Sequence, residues 1–121
     1  MASALGAAVV PAQAKSLAEQ LKMLAPEARA EQNCNAQVSE RIRREHKEFR
    51  PDEVVAYAFG DVKTRGPELS APGAAFRSRK TWYRVSYQCR VTPDGLGIES
   101  FTYSLGPTVP REAWSEHYLV P

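Results

Sequence analysis

Residues Thr81 to Thr92 read TWYRVSYQCRVT and carry the clearest pattern in the sequence. Apolar and polar side chains alternate over ten residues, and a period of two is typical of a strand with one buried face. The inward positions are Tyr83, Val85, Tyr87, Cys89 and Val91. The outward positions are Trp82, Arg84, Ser86, Gln88 and Arg90. This stretch predicts the best-defined strand of a sheet.

A returning, antiparallel strand is predicted after this one. Pro93–Gly95 has the composition of a turn, and the alternation resumes at Phe101, Tyr103 and Leu105. Ile98 is out of phase with those residues, which predicts a bulge near Glu99 or a late start of the returning strand.

Two earlier strands are predicted. Residues 54–59 are apolar throughout, which suits a strand covered on both faces. The polar stretch 60–67 reads as a loop. Residues 69–76 can form a short strand, but Pro72 cannot donate to a ladder and places that strand at an edge or at a bulge.

Helical spacing occurs in two parts of the chain, before residue 48 and after residue 109. Leucines at positions 17, 21 and 24 predict a helix over Ala12–Leu24. Pro26 suits the first turn of a second helix that reaches about Lys47, with an inner stripe of Cys34, Val38, Ile42 and His46. Pro110 opens a short last helix with Trp114, His117 and Tyr118 on one face.

These elements predict an α+β fold in which two N-terminal helices pack on one face of a three- to four-stranded antiparallel sheet, followed by a short C-terminal helix. The 121 residues suffice for one domain, over 15–121. Residues 1–14 are uncharged and end in A-x-A, so they read either as a signal-peptide remnant or as a disordered tail. No apolar run is long enough for a transmembrane segment.

The two cysteines lie on inward positions of different elements. Packing the second helix on the best strand would bring Cys34 and Cys89 together, and a disulfide is the favoured interpretation. Disulfides persist outside the reducing cytosol, so this interpretation predicts a periplasmic or secreted protein. The alternative is two reduced cysteines in the core of a cytoplasmic protein.

A block of cations lies within Arg77 to Arg90, which contains no acid although the chain carries a net charge of only +2. Residues 77–80 are expected at a tight connection between strands, and a guanidinium beside an aromatic ring can bind an anion or stack on a sugar or base. The candidate binding residues are Arg77, Ser78, Arg79, Lys80, Trp82, Arg84 and Arg90. The alternative is a solvated hairpin tip that protects an edge.

Motifs of known enzymes are missing from the sequence. It contains no G-x-S-x-G, no G-x-x-x-x-G-K-[ST] and no H-E-x-x-H. The cysteines and histidines have no close pairing that would suit zinc, and no cofactor is predicted. A small hydrolase or transferase remains a weaker hypothesis, in which His117 and Trp114 would line a cleft with Tyr83.

Several segments resemble a known family. The most specific are Gly73–Arg79 (GAAFRSR), the following Trp82-Tyr83 and the two cysteines; further matches are Glu31–Cys34, Phe49–Asp52 and Pro110–Trp114. Over about Leu17 to Leu119 the chain resembles an alphaproteobacterial domain-of-unknown-function family, number nine-three-zero. The resemblance implies an exported protein, and it carries no catalytic residue to this chain.

The preferred hypothesis is a non-catalytic module of the cell envelope, monomeric or weakly oligomeric, that binds a protein or an anionic glycan through the cations and Trp82. The alternative is a binder of nucleic acid or nucleotides that uses the same surface, although a net charge of +2 does not favour it.

Overall fold

The structure, a computed structural model, describes residues 15–121. The predicted signal remnant or tail at 1–14 lies outside the described residues, as does the start of the predicted first helix. Two helices are present, α1 over Leu17–Lys22 and α2 over Pro26–Glu45. Ser16 caps α1, because its side chain accepts from the Glu19 N–H while the Glu19 carboxylate accepts from the Ser16 N–H.

The sheet is antiparallel and has five strands, not the three or four that the sequence predicted. They are β1 (Pro51–Val55), β2 (Lys63–Arg65), β3 (Glu68–Ser78), β4 (Thr81–Val91) and β5 (Ile98–Thr108). The order is β1-β3-β4-β5, and β2 pairs with β3. Because β4 occupies one side of β3 over its whole length, β1 and β2 share the other side.

Two strands differ from the prediction. β1 ends at Val55 rather than at residue 59, because the chain then turns so that the Phe59 N–H can donate to the Gly73 carbonyl of β3. The stretch 60–67, predicted as a loop, contains β2. Pro72 lies in a bulge of β3, which is an interior strand, so the bulge alternative is confirmed and the edge alternative is wrong.

The alternation of β4 is confirmed. Its inward residues face α2 on what we call the inner face; Val85, Tyr87, Cys89 and Val91 are buried there with Val38, Ile42 and Phe76, and Tyr83 is partly buried against them. The disulfide between Cys34 and Cys89 is present, with the two Cα atoms 6.1 Å apart. α2 covers the sheet, whereas α1 packs on α2 alone. Both helices were predicted to pack on the sheet, and this holds for α2 only.

The opposite, outer face of the sheet is covered at one end by the C-terminal segment. Two short 3-10 turns, Arg111–Ala113 and Ser115–His117, replace the predicted helix. They place Trp114 and Leu119 against Trp82 of β4, whose indole N–H donates to the Val120 carbonyl at 2.7 Å. A straight helix would not continue here, since Tyr118 adopts a left-handed conformation with φ 63°.

The predicted bulge near Glu99 is confirmed. Arg90 pairs with Ser100 and Val91 with Ile98, which leaves Glu99 as the extra residue of β5. No helix within residues 15–121 is long and apolar enough to cross a membrane.

Candidate functional site

The connection between β3 and β4 is a two-residue turn made of cations. Arg79 and Lys80 are exposed and have φ of 51° and 67°, a left-handed conformation at both positions. Such a turn suits the twist of a hairpin and normally favours Asn and Gly. Residues 77–80 thus do form the predicted tight connection, with two charges at its tip.

Two of the candidate binding residues are buried. Ser78 is 1% exposed, and its hydroxyl accepts a hydrogen bond from the Arg50 N–H at 2.8 Å. Trp82 is fully buried, so the prediction that it lies open beside Arg84 is wrong. It does point to the outer face, but the C-terminal segment covers that end of the face.

Two further candidates hold their charge in ion pairs. The Arg77 Nε donates to Asp52 at 2.9 Å, and this hydrogen bond raises the pKa of Arg77. Arg90 pairs with both Glu68 and Glu99. The predicted cation block is therefore partly neutralised by acids that lie outside the block in the sequence.

Arg84 remains as a cation of the outer face. Its guanidinium carbon lies 3.8 Å from the centre of the Phe59 ring, and that ring stacks on His117 with centres 3.9 Å apart. Within residues 15–121, no carboxylate lies within ion-pair distance of Arg84, Arg79 or Lys80. The guanidinium thus has a fixed platform and an uncompensated charge.

Two bulges meet beside Arg84. On β3, the residues 72–73 oppose only Ser86 of β4. On β5, the residues 106–107 oppose only Arg84. One bulge reads Pro-Gly and the other Gly-Pro. Both neighbours of β4 are therefore irregular within two residues of each other. Bulges re-aim side chains and are frequent beside functional sites.

Each glycine makes room for a particular neighbour. A Cβ on Gly73 would lie 2.7 Å from the Gly60 nitrogen and from the Phe59 carbonyl carbon. A Cβ on Gly106 would lie 2.8 Å from the Arg84 Cβ. The first glycine therefore lets Phe59 reach the sheet, and the second lets the stem of Arg84 pass.

The result is a small cleft on the outer face, with a volume of about 280 Å³. Arg84 lies along it, the prolines of the two bulges form part of its wall, and the cross-strand pair Ser86 and Ser104 contributes hydroxyl groups. We call this the Arg84 cleft. A guanidinium with nearby hydroxyl donors can bind a carboxylate, sulfate or phosphate group.

The predicted catalytic cleft does not form. His117 and Trp114 lie on the outer face, whereas Tyr83 packs on the inner face, so the sheet separates them. The His117 Nδ1 lies 2.9 Å from the Ala58 carbonyl oxygen. Both cysteines are in the disulfide, and residues 15–121 contain no cluster of three or more His, Cys, Asp or Glu suited to a metal.

Sequence reasoning identified Arg84 but missed the residues that build its surroundings. Phe59 is the last residue of the predicted strand 54–59, and neither Ser86 nor Ser104 is among the predicted site residues. The available signal was the pair of Pro-Gly and Gly-Pro steps inside strand-like sequence, because such steps mark bulges. Their meeting on either side of β4 follows from the strand order.

Comparisons with known proteins give one result. No curated protein matches the chain, and no solved structure matches it. A family model for a Domain of Unknown Function matches residues 21–119, which include α2, all five strands and both cysteines. The chain therefore belongs to the DUF930 family.

Proposed function

We propose that this protein is a non-catalytic binding module of the cell envelope, and that it engages an anionic partner through the Arg84 cleft and the Arg79-Lys80 turn. The partner is an acidic glycan or an acidic surface of a protein. The observation that carries the proposal is the position of Arg84, held on Phe59 between two bulges, with no acid among residues 15–121 to neutralise it.

The contrast among the cations of β3 and β4 supports this assignment. Arg77 and Arg90 have acidic partners and so contribute little net charge to the surface. A guanidinium that is already oriented loses less side-chain entropy on binding than a free one. Arg84 is oriented by Phe59, so its charge is available to a ligand at a low entropic cost.

The disulfide supports the envelope location. Cys34 and Cys89 are both buried in the core, where the bond joins α2 to β4. A bond of this kind persists in an oxidising compartment. Intact mass, measured without reductant on protein recovered from cell fractions, should be about two daltons lower than the reduced mass, as one S–S bond requires. Recovery of a reduced protein from the cytosol would contradict the location.

Binding is tested by calorimetry with a uronic-acid oligosaccharide and, separately, with a poly-glutamate peptide as probes. Replacing Arg84 with Gln removes the charge and should weaken binding by about tenfold or more, because charge-assisted hydrogen bonds to the anion are lost. Arg111→Gln is the matched control, since Arg111 also lies over an aromatic ring, that of Trp114, at 4.8 Å.

The turn is tested by Arg79→Asn with Lys80→Gly. These residues suit the left-handed conformation better than the native pair, so the variant should keep or gain stability while binding weakens. Loss of binding with unchanged folding assigns the effect to charge. If neither probe binds, or if Arg84→Gln and Arg111→Gln behave alike, the proposal is wrong.

The nucleic-acid alternative predicts a different salt response. Binding of an oligonucleotide that neutralises many phosphates falls steeply with salt, because counterions are released. The proposed surface offers three cations, Arg84, Arg79 and Lys80, which should give a shallow salt dependence with the glycan or peptide. A steep salt dependence with an oligonucleotide, together with no binding of the other probes, would replace the proposal with this alternative.

A further inference from the structure

The strand β5 forms an open edge of the sheet. Within residues 15–121 it pairs with β4 on one side and with no strand on the other, over eleven residues. An edge of this length presents a row of unpaired N–H and C=O groups that can accept another strand. The backbone of β5 is therefore a docking surface unless it is protected.

The opposite edge is protected, whereas β5 is interrupted only near its two ends, by the bulges at Glu99 and at residues 106–107. β1 and β2 are short, and they carry charged residues, Asp52 and Glu53 in β1, Lys63 and Arg65 in β2. Short strands and charges are the usual protection against edge pairing. Between residues 100 and 106, β5 has no charge and no proline. Its inner-face residue Leu105 is 37% exposed.

The geometry points to a second copy of this chain as the partner of β5. Antiparallel pairing around a two-fold axis at Tyr103 would place Phe101 opposite Leu105, and Thr102 opposite Ser104. Apolar residues of the inner face then meet apolar residues, and hydroxyls of the outer face meet hydroxyls. The acid of the strand, Glu99, would face the uncharged Pro107, so no like charges meet.

Charges on α2 fit the same symmetry. The Glu45 carboxylate accepts from the Tyr103 hydroxyl at 2.6 Å and from the Arg41 Nε at 2.8 Å. The Arg41 guanidinium carbon lies 5.7 Å from the ring centres of Phe101 and Tyr103. A two-fold axis at Tyr103 would add one base and one acid from each copy to the interface, so no excess of like charge would oppose the pairing. This self-complementarity favours a second copy over an unrelated strand.

Sedimentation of the full chain from micromolar to millimolar concentration tests the dimer. Thr102→Lys places a charge in the middle of β5, so the dimer dissociation constant should rise by about tenfold or more. Thr64→Lys is the matched control, because Thr64 is the exposed central residue of β2 on the protected edge. It should leave the dimer unchanged.

Cross-linking tests the register without a charged substitution. Tyr103→Cys should form a covalent dimer on oxidation, since residue 103 would face its own copy. Ser104→Cys should not, because its copy would lie beyond the roughly 7 Å that a disulfide can span between Cα atoms. Intact mass confirms that the native disulfide is kept in each variant.

The results either support or overturn the dimer. A wild-type protein that is monomeric at every concentration overturns it, and so does a dimer that Thr102→Lys leaves intact or that cross-links through Ser104→Cys. Binding of anionic probes by a monomer would leave the Arg84 cleft in place, so the two proposals fail independently.

Discussion

The two faces of the sheet are closed to different degrees. On the inner face, α2 covers β4 along its length and the disulfide joins the two elements covalently. On the outer face, the C-terminal segment covers Trp82 with Trp114 and Leu119, and the cover stops there. The remaining outer face is polar, with Ser86, Gln88 and Thr102.

This difference separates the residues that stabilise the fold from those that we propose bind a ligand. The inner face holds the larger core, which α2 and β4 share, and its residues hold the fold together. On the outer face, the C-terminal segment forms a small core with Trp82. The Arg84 cleft lies beside that core. A ligand therefore has access to the half of the outer face that the C-terminal segment leaves open.

The largest effect is expected from the inner face. Replacing both Cys34 and Cys89 with Ala removes the cross-link, whose closed loop of 55 residues contributes about 4 kcal/mol in the chain-entropy account. Urea denaturation of the oxidised wild type and the double variant measures the difference in the free energy of unfolding. Equal unfolding midpoints would contradict a stabilising role for the bond.

Loss of packing around Trp82 on the outer face is expected to lower the free energy of unfolding by nearly as much. Trp82→Ala should cost about 3 kcal/mol, because it leaves a cavity against Trp114 and Leu119. Trp82→Phe should cost less, since it keeps an aromatic ring and loses the hydrogen bond to the Val120 carbonyl. Urea denaturation compares the two, and a Trp82→Ala variant as stable as Trp82→Phe would mean that the C-terminal segment is not packed on the sheet.

The bulge of β3 links the fold to the cleft. Gly73→Ala should cost about 2 kcal/mol, because the added carbon meets backbone atoms of Phe59 and Gly60. It should also weaken binding of the uronic-acid probe, since Phe59 is the platform for Arg84. Gly60→Ala is the control, with no atom within 4 Å of the added carbon. An unchanged affinity in a folded Gly73→Ala variant would separate Phe59 from the site.

The smallest effect concerns Glu45 at the rim of the inner face. The hydrogen bond from Tyr103 and then that from Arg41 lower the pKa of this carboxyl. A pKa lower in the folded than in the unfolded chain adds stability above the unfolded value and loses it as pH falls through the folded one.

Urea midpoints between neutral and acidic pH measure this contribution. Tyr103→Phe removes the main cause of the shift, so its stability should fall less on acidification than that of the wild type. Tyr83→Phe, in a strand that does not contact Glu45 by hydrogen bond within the described residues, should follow the wild type. Parallel pH curves for Tyr103→Phe and wild type would show that the hydrogen bond does not shift the carboxyl.

The inner face was predictable because its signals are local. The alternation of β4 and the spacing of four on α2 each place a cysteine inward, and only one packing joins the two. The outer face was not predictable in the same way. Trp82 occupies an outward position in the alternation of β4. Its burial depends on Trp114 and Leu119, which lie more than thirty residues away in the sequence.

The candidate site shows the same limit. Arg77 and Arg90 looked free because the block from 77 to 90 contains no acid, yet their partners come from other strands and from the bulge at Glu99. Ion pairs between neighbouring strands cannot be read from charge along the chain, because they depend on the strand order and register. Arg84 was recognised as a cation, but its availability is a property of the assembled sheet.

The most direct measurement is an NMR titration of the oxidised protein with the uronic-acid oligosaccharide, following backbone amides. We expect the largest shift changes at Arg84, Ser86 and Ser104, smaller ones at the Arg79-Lys80 turn, and none in α2. Changes concentrated on α2 or at the ion pairs of Arg90, or no change at saturating probe, would contradict the assignment of the open outer face as the binding surface.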